Sequence, residues 1–286
     1  MAVCDLHTHS YYSDGSFSPA QLLELARQAG LSAIALCDHN TVAGLPEFLA
    51  AGKVSEVEAI PGVELSTEYD GTELHILGLF IEEKYFEAIT AKTADFLRRK
   101  EQSGVALVHA LQQAGMVLDY DRIKAATPDG YVNRAHVATA LVEKGYVGSV
   151  KEAFARYLSP EQGYYVPPRR MDAFEAIRFL KSLGAVTVLA HPFLNLDEAA
   201  LRAFLPEAKA SGLDAMETLY PKYEEATTRL ACNLAEEYGL LHSGGSDFHG
   251  KSKPDIQIGT GKGDLRVSCR LLEKLKEKKQ ENFKFQ

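Results

Sequence analysis

The sequence has few cysteines, and none of them forms the CxxC pairs that are typical of thiolate metal sites. The four cysteines, Cys4, Cys37, Cys232 and Cys269, lie far apart in a chain of 286 residues. We therefore expect reduced and mostly buried thiols. The chain also lacks any apolar run that approaches the roughly 18 residues of a membrane span. Its first residues lack the basic stretch and apolar run of a secretory signal, so we expect a cytoplasmic protein without a membrane partner.

Acidic residues outnumber basic ones, with 39 Asp and Glu against 31 Lys and Arg. The formal net charge is −8, whereas general nucleic-acid binders carry a basic surface. A small phosphorylated substrate is still compatible with this charge, because a few metal ions can reverse its sign locally. The sequence contains no glycine-rich phosphate loop of the GxGxxG or P-loop type. We therefore expect no cofactor other than metal ions.

Short apolar segments alternate with helical patterns in the first and last parts of the chain. Strands are predicted at 3–6, 32–37, 58–65, 72–81, 185–190, 213–217 and 240–244. The first helix illustrates the pattern, since Ser18 and Gln21 form a capping box, Pro19 follows the cap and Gly30 ends the helix. This alternation predicts an α/β fold with a parallel sheet, either closed or open.

Residues 86–165 follow a different pattern, with helical segments and no convincing strand. We predict that 86–165 form a helical insertion or cap domain, and that 1–85 and 166–286 together form the α/β domain. Further helices are predicted at 171–183 and 267–279. The sequence does not predict an oligomeric state.

Polar side chains recur in, at or just beyond the ends of the predicted strands. Six of the nine histidines lie at such positions, and the carboxyl ends of parallel strands form the active-site edge of β/α folds. The nine candidate ligands are His7, His9, Asp14, His39, Glu64, His75, His191, Asp247 and His249. One HxH pair is weak evidence, because such pairs are common in cores and on surfaces. Their recurrence predicts a shared site for Mn, Fe or Zn.

An ordered set of motifs makes the chain resemble the polymerase-and-histidinol-phosphatase (PHP) family. The motifs are His7-Thr8-His9-Ser10, Ser13-Asp14-Gly15, Cys37-Asp38-His39-Asn40-Thr41, Pro61-Gly62-Val63-Glu64, His75-Ile76-Leu77-Gly78, Ala190-His191-Pro192 and Gly244-Gly245-Ser246-Asp247-Phe248-His249-Gly250. The resemblance covers nearly the whole chain. It implies a distorted (β/α)7 barrel over 1–85 and 166–286, with a helical insertion and two to three divalent metal ions.

The resemblance also implies roles for individual residues. One metal would be held by His7, His9, Glu64 and Asp247, a second by Asp14, His39 and His249, and a third by Glu64, His75 and His191. Asp38, His191 and Asp247 are expected to be catalytic, Asp38 by orienting His39 or a neighbour. Arg134, His136 and Arg169 are expected to bind substrate phosphates. Two departures, Asn40 in place of a frequent aspartate and Arg169 in place of a frequent lysine, remove no ligand.

The members most similar to this chain remove the 3′-phosphate of 3′,5′-bisphosphonucleotides and trim short RNA from its 5′ end. The resemblance therefore implies a phosphomonoesterase that acts on a small phosphorylated substrate, a nucleotide or short RNA, with a metal-bridged hydroxide as nucleophile. Histidinol phosphate phosphatase is the nearest alternative. A metal-dependent amidohydrolase and a metal-stabilised domain without enzymatic activity are two others, and Glu64 as a bridging ligand argues against the former.

Overall fold

The computed structural model describes residues 2–127 and 132–284, in two compact units. One unit comprises Met1–Thr90 with Met171–Gln286, and the other comprises Ala91–Arg170. The strands are β1 (Val3–Thr8), β2 (Ala33–Leu36), β3 (Glu58–Tyr69), β4 (Thr72–Leu79), β5 (Met171–Asp172), β6 (Val186–Ala190), β7 (Ala215–Leu219), β8 (Leu241–Gly244) and β9 (Val267–Ser268). The helices are α1 (Pro19–Gln28), α2 (Leu45–Gly52), α3 (Phe86–Gln113), α4 (Tyr120–Ala125), α5 (Arg134–Glu143), α6 (Val150–Ala153), α7 (Ala173–Ser182), α8 (Glu198–Ala210), α9 (Glu225–Glu237) and α10 (Cys269–Lys284).

The first unit is a nearly closed, barrel-like sheet. Its strand order is β8-β7-β6-β4-β3-β2-β1-β9, and β5 pairs with β3. The segment after β8 returns to β1, where the Asp247 N–H donates to the His7 carbonyl at 2.9 Å. The His9 N–H donates to the Phe248 carbonyl, also at 2.9 Å. These bonds bring the first and last parts of the sheet together at the edge where β1 ends.

The sheet is not wholly parallel, so the prediction of a parallel sheet was wrong at β4. This strand runs antiparallel to both β3 and β6. Asp70 and Gly71 link β3 to β4 as a two-residue hairpin with φ of 48° and 73°. Such Asp-Gly pairs favour a tight hairpin turn because both central residues need positive φ. The Asp-Gly pair in the sequence is therefore a local signal for the hairpin that reverses the chain here.

Two predicted helices begin later than expected. Met171–Asp172 pairs with β3 as β5, and the Asp172 side chain accepts from the Glu175 N–H to cap α7. Val267–Ser268 pairs antiparallel with β1 as β9, and α10 extends from Cys269 to Lys284. In both cases pairing with a neighbouring strand outweighs the local helical pattern, which sequence periodicity alone does not reveal.

Alternate strand positions pack into two separate apolar clusters, as expected for a sheet covered on both faces. On β2, Ile34 and Leu36 join a large cluster with residues of α1, α2, α7 and α8. Ala33 and Ala35 belong instead to a cluster that includes Leu272 of α10. Within the described residues, no helix combines the length and the apolar character that crossing a membrane requires.

The second unit is helical throughout its described residues. It holds most of α3 together with α4, α5 and α6, followed by a π-helical turn at Phe154–Leu158. It has its own apolar cluster, to which Leu107, Leu111, Val137 and Leu141 contribute. Its role as an inserted cap domain stays a prediction.

The β3–β4 turn provides a stability test of this topology. Gly71 has φ of 73° and an added Cβ there would meet no atom within 4 Å, so any cost is purely conformational. We expect Gly71→Ala to lower the free energy of unfolding by about 1 kcal/mol. Asp70→Asn is the control and should be nearly neutral, because asparagine tolerates positive φ. Equal denaturation midpoints for Gly71→Ala and the unmodified protein would contradict the assigned turn.

Candidate metal centre

All nine predicted ligands lie in the barrel unit, at one edge of its sheet. In chain order they are on β1 and the loop after it (His7, His9, Asp14), after β2 (His39), on β3 (Glu64), on β4 (His75), after β6 (His191) and after β8 (Asp247, His249). The antiparallel direction of β4 places His75 opposite Ser66 and Ala190. An early residue of β4 therefore lies near the carboxyl ends of β3 and β6.

Glu64 lies at the centre of the site, with a side chain that is fully buried. Its Oε1 is 2.8 Å from His75 Nδ1 and 3.1 Å from His191 Nε2. Its Oε2 is 3.2 Å from His7 Nε2, 3.3 Å from His9 Nε2 and 3.0 Å from His39 Nδ1. The two carboxylate oxygens thus face two different groups of imidazoles, which is the arrangement that a bridging ligand needs.

A second group of potential ligands surrounds Asp14. Asp14 Oδ1 lies 3.1 Å from His249 Nε2 and 4.0 Å from His9 Nδ1, while Oδ2 lies 3.8 Å from His39 Nε2. One ligand atom from each of these four residues lies within 4.8 Å of the others. Three imidazoles and one carboxylate suit the nitrogen and oxygen preferences of zinc, manganese and iron.

Hydrogen bonds fix the orientation of two imidazoles. His249 Nδ1 donates to the Asp247 carbonyl at 2.7 Å, and a carbonyl can only accept. His7 Nδ1 lies 3.0 Å from Glu217 Oε1 and donates to that carboxylate. In each ring Nδ1 carries a proton, so Nε2 is the nitrogen that could bind a metal ion.

Several buried ligand atoms have no hydrogen-bond partner among the described residues. These atoms are His9 Nδ1, Asp14 Oδ1, His39 Nδ1, Glu64 Oε2 and His249 Nε2. An unpaired buried polar atom costs about 1–3 kcal/mol, so five of them in one place require an explanation. Divalent cations satisfy such lone pairs directly. The residues present therefore fit a multinuclear metal site.

The pKa shifts at the site show that its carboxylates and histidines are strongly coupled. Burial alone would raise the pKa of Glu64, but the surrounding histidines hold it well below its usual range. Burial would also raise the pKa of Asp14 and of Asp247, but nearby histidines, chiefly His249, hold both values well below the usual range.

Burial lowers the pKa of His39 to about 3. Burial would lower the pKa of His7, His9 and His75, but neighbouring carboxylates raise it, well above the usual range for His7, to about 9 for His9 and to about 10 for His75. A divalent cation must therefore displace protons from these imidazoles before they can coordinate it.

Backbone strain is concentrated at the same edge. Asn40, His191 and Asp247 have φ of 55°, 29° and 54°. Positive φ in residues other than glycine is uncommon, and it persists where the surroundings impose it. Asn40 is held by paired bonds with Ser66, of 2.9 Å in each direction. These backbone conformations occur just after β6 for His191 and just after β8 for Asp247, where the two side chains reach the cluster.

The sequence of the chain matches a known family over more than half of its length. The pattern of the PHP domain family matches residues 5–175. A 5′-3′ exoribonuclease of Haemophilus influenzae is 36% identical over 246 residues, which cover 86% of this chain and 89% of the relative. The chain belongs to the PHP domain family.

A solved structure and two further relatives extend this comparison. A crystal structure described as a putative metal-dependent phosphoesterase of Bifidobacterium adolescentis has a TM-score of 0.83 and 27% identity, covering 97% of this chain and 96% of that one. A phosphoribosyl 1,2-cyclic phosphate 1,2-diphosphodiesterase of Eggerthella lenta is 33% identical, covering 86% of this chain and 94% of the relative. A 3′,5′-nucleoside bisphosphate phosphatase of Chromobacterium violaceum is 27% identical, covering 94% of this chain and 95% of the relative. The predictions of the family, of the barrel-type α/β fold and of a metal-dependent phosphoesterase are confirmed at this level.

Glu217 on β7 of this PHP protein is a site residue that the strand-end pattern did not predict. Its side chain is fully buried, and its Oε2 accepts from the His191 N–H at 2.8 Å while Oε1 accepts from His7. Glu217 therefore orients two candidate ligands at once. The available signal was an acidic residue inside the apolar strand Ala215–Leu219, at the same topological position as the other strand-end residues.

Asp38 lies close to the cluster, but its hydrogen bonds do not run to His39. Its carboxylate accepts from the Ser10 N–H at 2.8 Å, the Ser10 hydroxyl at 2.6 Å and the Ser13 hydroxyl at 2.6 Å. It therefore positions the loop that carries His9 and Asp14. We accordingly regard Asp38 as a positioning residue rather than a catalytic one.

The three predicted substrate-binding residues lie in the helical unit. The Arg134 guanidinium is 4.6 Å from the centre of the Tyr165 ring and 5.4 Å from that of Phe154. The His136 Nδ1 accepts from the Asn133 N–H at 3.2 Å and so completes a helix cap. Arg169 is exposed. Their roles in substrate binding stay predictions.

Metal binding should stabilise the folded protein. We expect manganese or zinc, added to chelator-treated protein, to raise the midpoint of thermal unfolding. A free metal concentration of 100 times the dissociation constant adds about 2.7 kcal/mol to the free energy of unfolding. The shift should be largely lost in Asp247→Ala and kept in Asp255→Ala, whose residue is exposed and outside the cluster. Equal shifts of the unfolding midpoint in the two variants would show that Asp247 does not bind the metal.

Glu217 should affect metal affinity without being exposed to substrate. Glu217→Gln keeps the shape of the side chain but removes the charge that holds the His7 proton on Nδ1. We expect metal affinity to fall about 10- to 100-fold, as is usual when an outer partner of a ligating histidine is changed. Titration calorimetry would measure it, with exposed Glu56→Gln as the matched control. An unchanged isotherm would show that Glu217 has no orienting role.

Proposed function

We propose that this PHP protein hydrolyses a phosphate monoester, namely the 3′-phosphate of a 3′,5′-bisphosphonucleotide, with two to three divalent metal ions bound at the cluster. The proposal depends chiefly on one observation, the central Glu64 carboxylate with five imidazoles within 3.3 Å of its two oxygens. Manganese, iron and zinc all suit this ligand set. The chemistry of the named relatives supports the choice of a phosphorylated nucleotide.

The charge of the site favours a phosphate over a neutral carbonyl. Three divalent ions would outweigh the charges of Asp14, Glu64, Glu217 and Asp247, so a site on a chain of net charge −8 would become positive locally. Such ions make a nucleophile available at neutral pH and offset the charge that develops on the phosphoryl group. A phosphate dianion benefits most from this environment.

The protein's own residues set the geometry for this reaction. His7, His9, His39, His75, His191 and His249 would supply nitrogen ligands, and Asp14, Glu64 and Asp247 would supply oxygen ligands. Glu217 and the Asp247 carbonyl keep the proton of His7 and His249 away from the cluster. Asp38 fixes the loop before Asp14. Since these partners are buried, the ligands are preorganised and lose little entropy on binding.

A second candidate reaction is the removal of nucleotides from the 5′ end of short phosphorylated RNA. It is favoured by the relative of 36% identity, which is named a 5′-3′ exoribonuclease. Both reactions use the same metal-supported attack on phosphorus. In both, the 3′ oxygen of a nucleoside 5′-phosphate is the leaving group. They differ in what the attacked phosphorus carries, which is no further group in the bisphosphonucleotide and the remaining RNA in the oligonucleotide.

A substrate panel tests the proposal. Manganese-loaded protein is incubated with adenosine 3′,5′-bisphosphate, AMP, histidinol phosphate, a ribose 1,2-cyclic phosphate and a short 5′-phosphorylated RNA, and phosphate and nucleotide release are measured. We expect release from the bisphosphate, reduced by at least about 10³-fold in Asp247→Ala and unchanged in Asp255→Ala. Turnover of histidinol phosphate or of the cyclic phosphate alone would refute the nucleotide substrate and keep the metal site.

A further inference from the structure

The two carboxylate oxygens of Asp247 have different surroundings. Oδ1 lies 3.3 Å from His9 Nε2 and 3.4 Å from His249 Nδ1, on the side of the candidate ligands. Oδ2 accepts from the Tyr220 hydroxyl at 2.8 Å and from the Lys253 ammonium at 2.7 Å. Asp247 therefore presents one oxygen to the metal site, while the side chains of Tyr220 and Lys253 hold the other.

Tyr220 and Lys253 reach Asp247 from different environments. Tyr220 follows β7 directly and is 4% exposed, with its ring 5.3 Å from that of His191. Lys253 follows the short 3₁₀ turn Gly250–Ser252, and its side chain is 34% exposed. The tyrosine is part of the packed wall of the site. The lysine lies at its solvent-accessible rim.

The ammonium of Lys253 has donors beyond the one that it gives to Asp247. An ammonium carries three N–H groups on a flexible stem, and it has no acceptor. A metal ion held by Asp247 and its neighbours would draw charge from the carboxylate and so would weaken the attraction between Oδ2 and the ammonium. Lys253 can then direct a donor at an anion bound to the metal ions without leaving the rim.

We propose that Lys253 is a substrate-binding residue that donates a hydrogen bond to an oxygen of the phosphate at the metal site, an inference that rests on the proposed function. Tyr220 is the contrasting case, a positioning residue that holds Asp247 so that Oδ1 alone faces the cluster. The two residues share one acceptor atom, yet their removal should have different consequences. Losing Lys253 should weaken phosphate binding, and losing Tyr220 should weaken metal binding.

Inorganic phosphate is the probe that separates these effects, because its binding requires no turnover. Its affinity for manganese-loaded full-length protein is measured by titration calorimetry, and manganese affinity is measured separately. Lys253→Met should weaken phosphate binding about tenfold or more, since a hydrogen bond from a charged donor is lost. Manganese affinity should change less than about twofold. Lys253→Arg should restore most of the phosphate affinity.

The matched control is Lys251→Met, which removes an exposed ammonium two residues away. It should leave both affinities unchanged. Tyr220→Phe should weaken manganese binding and leave the phosphate affinity of the fully loaded protein within about twofold. Phosphate affinity in Lys253→Met equal to that of Lys251→Met would overturn the proposal. A loss of manganese affinity in Lys253→Met as large as that in Tyr220→Phe would also overturn it.

The same experiment distinguishes failure of this inference from failure of the proposed function. If no ester of the panel is hydrolysed but phosphate binding depends on Lys253, the proposed function fails and the binding role of Lys253 stands. If the bisphosphate is hydrolysed with the same KM by Lys253→Met and Lys251→Met, the proposed function stands and Lys253 is not a substrate contact.

Discussion

The burial of the Glu64 carboxylate is the constraint on which the rest of the site depends. A charged carboxylate without solvent is costly unless opposite charge or donors surround it. Here five imidazole nitrogens lie within 3.3 Å of its two oxygens. Those nitrogens come from four different strands or the segments just after them, so the barrel must be nearly closed before Glu64 is compensated. Fold and metal centre are therefore coupled, and divalent ions would complete the compensation.

Buried carboxylates around the cluster act mainly on the backbone and on other ligands. Asp5, which is fully buried, accepts from the Ser246 N–H at 2.8 Å and the Gly259 N–H at 2.7 Å. It thereby ties β1 to the segment that carries Asp247. Asp38 ties the end of β2 to the loop of His9 and Asp14, and Glu217 ties β7 to His7 and His191. Each is a charged group whose hydrogen bonds fix a ligand in place, which is how preorganised metal sites are built.

The antiparallel β4 shows how a local turn decides a chemical outcome. If β4 were reached by a long crossover and ran parallel to β3, an early residue such as His75 would lie at the opposite edge of the sheet. The Asp70-Gly71 hairpin reverses the chain at once. His75 then lies beside Glu64 on the neighbouring strand, with 2.8 Å between Nδ1 and Oε1. A two-residue turn thus brings one more imidazole to a site that parallel strands alone would have left without it.

The sequence by itself determined the α/β class, the family and the nine candidate ligands, because apolar strands that end in His, Asp or Glu form a local pattern readable residue by residue. It did not determine the direction of β4, the two-residue strands β5 and β9, or the roles of Glu217, Tyr220 and Lys253. Most of those depend on contacts between residues far apart in the chain, such as Glu217 with His7 and Tyr220 with Asp247. Only the tertiary structure brings such groups within hydrogen-bond distance, since a carboxylate in an apolar strand has no assigned partner until the barrel closes around it.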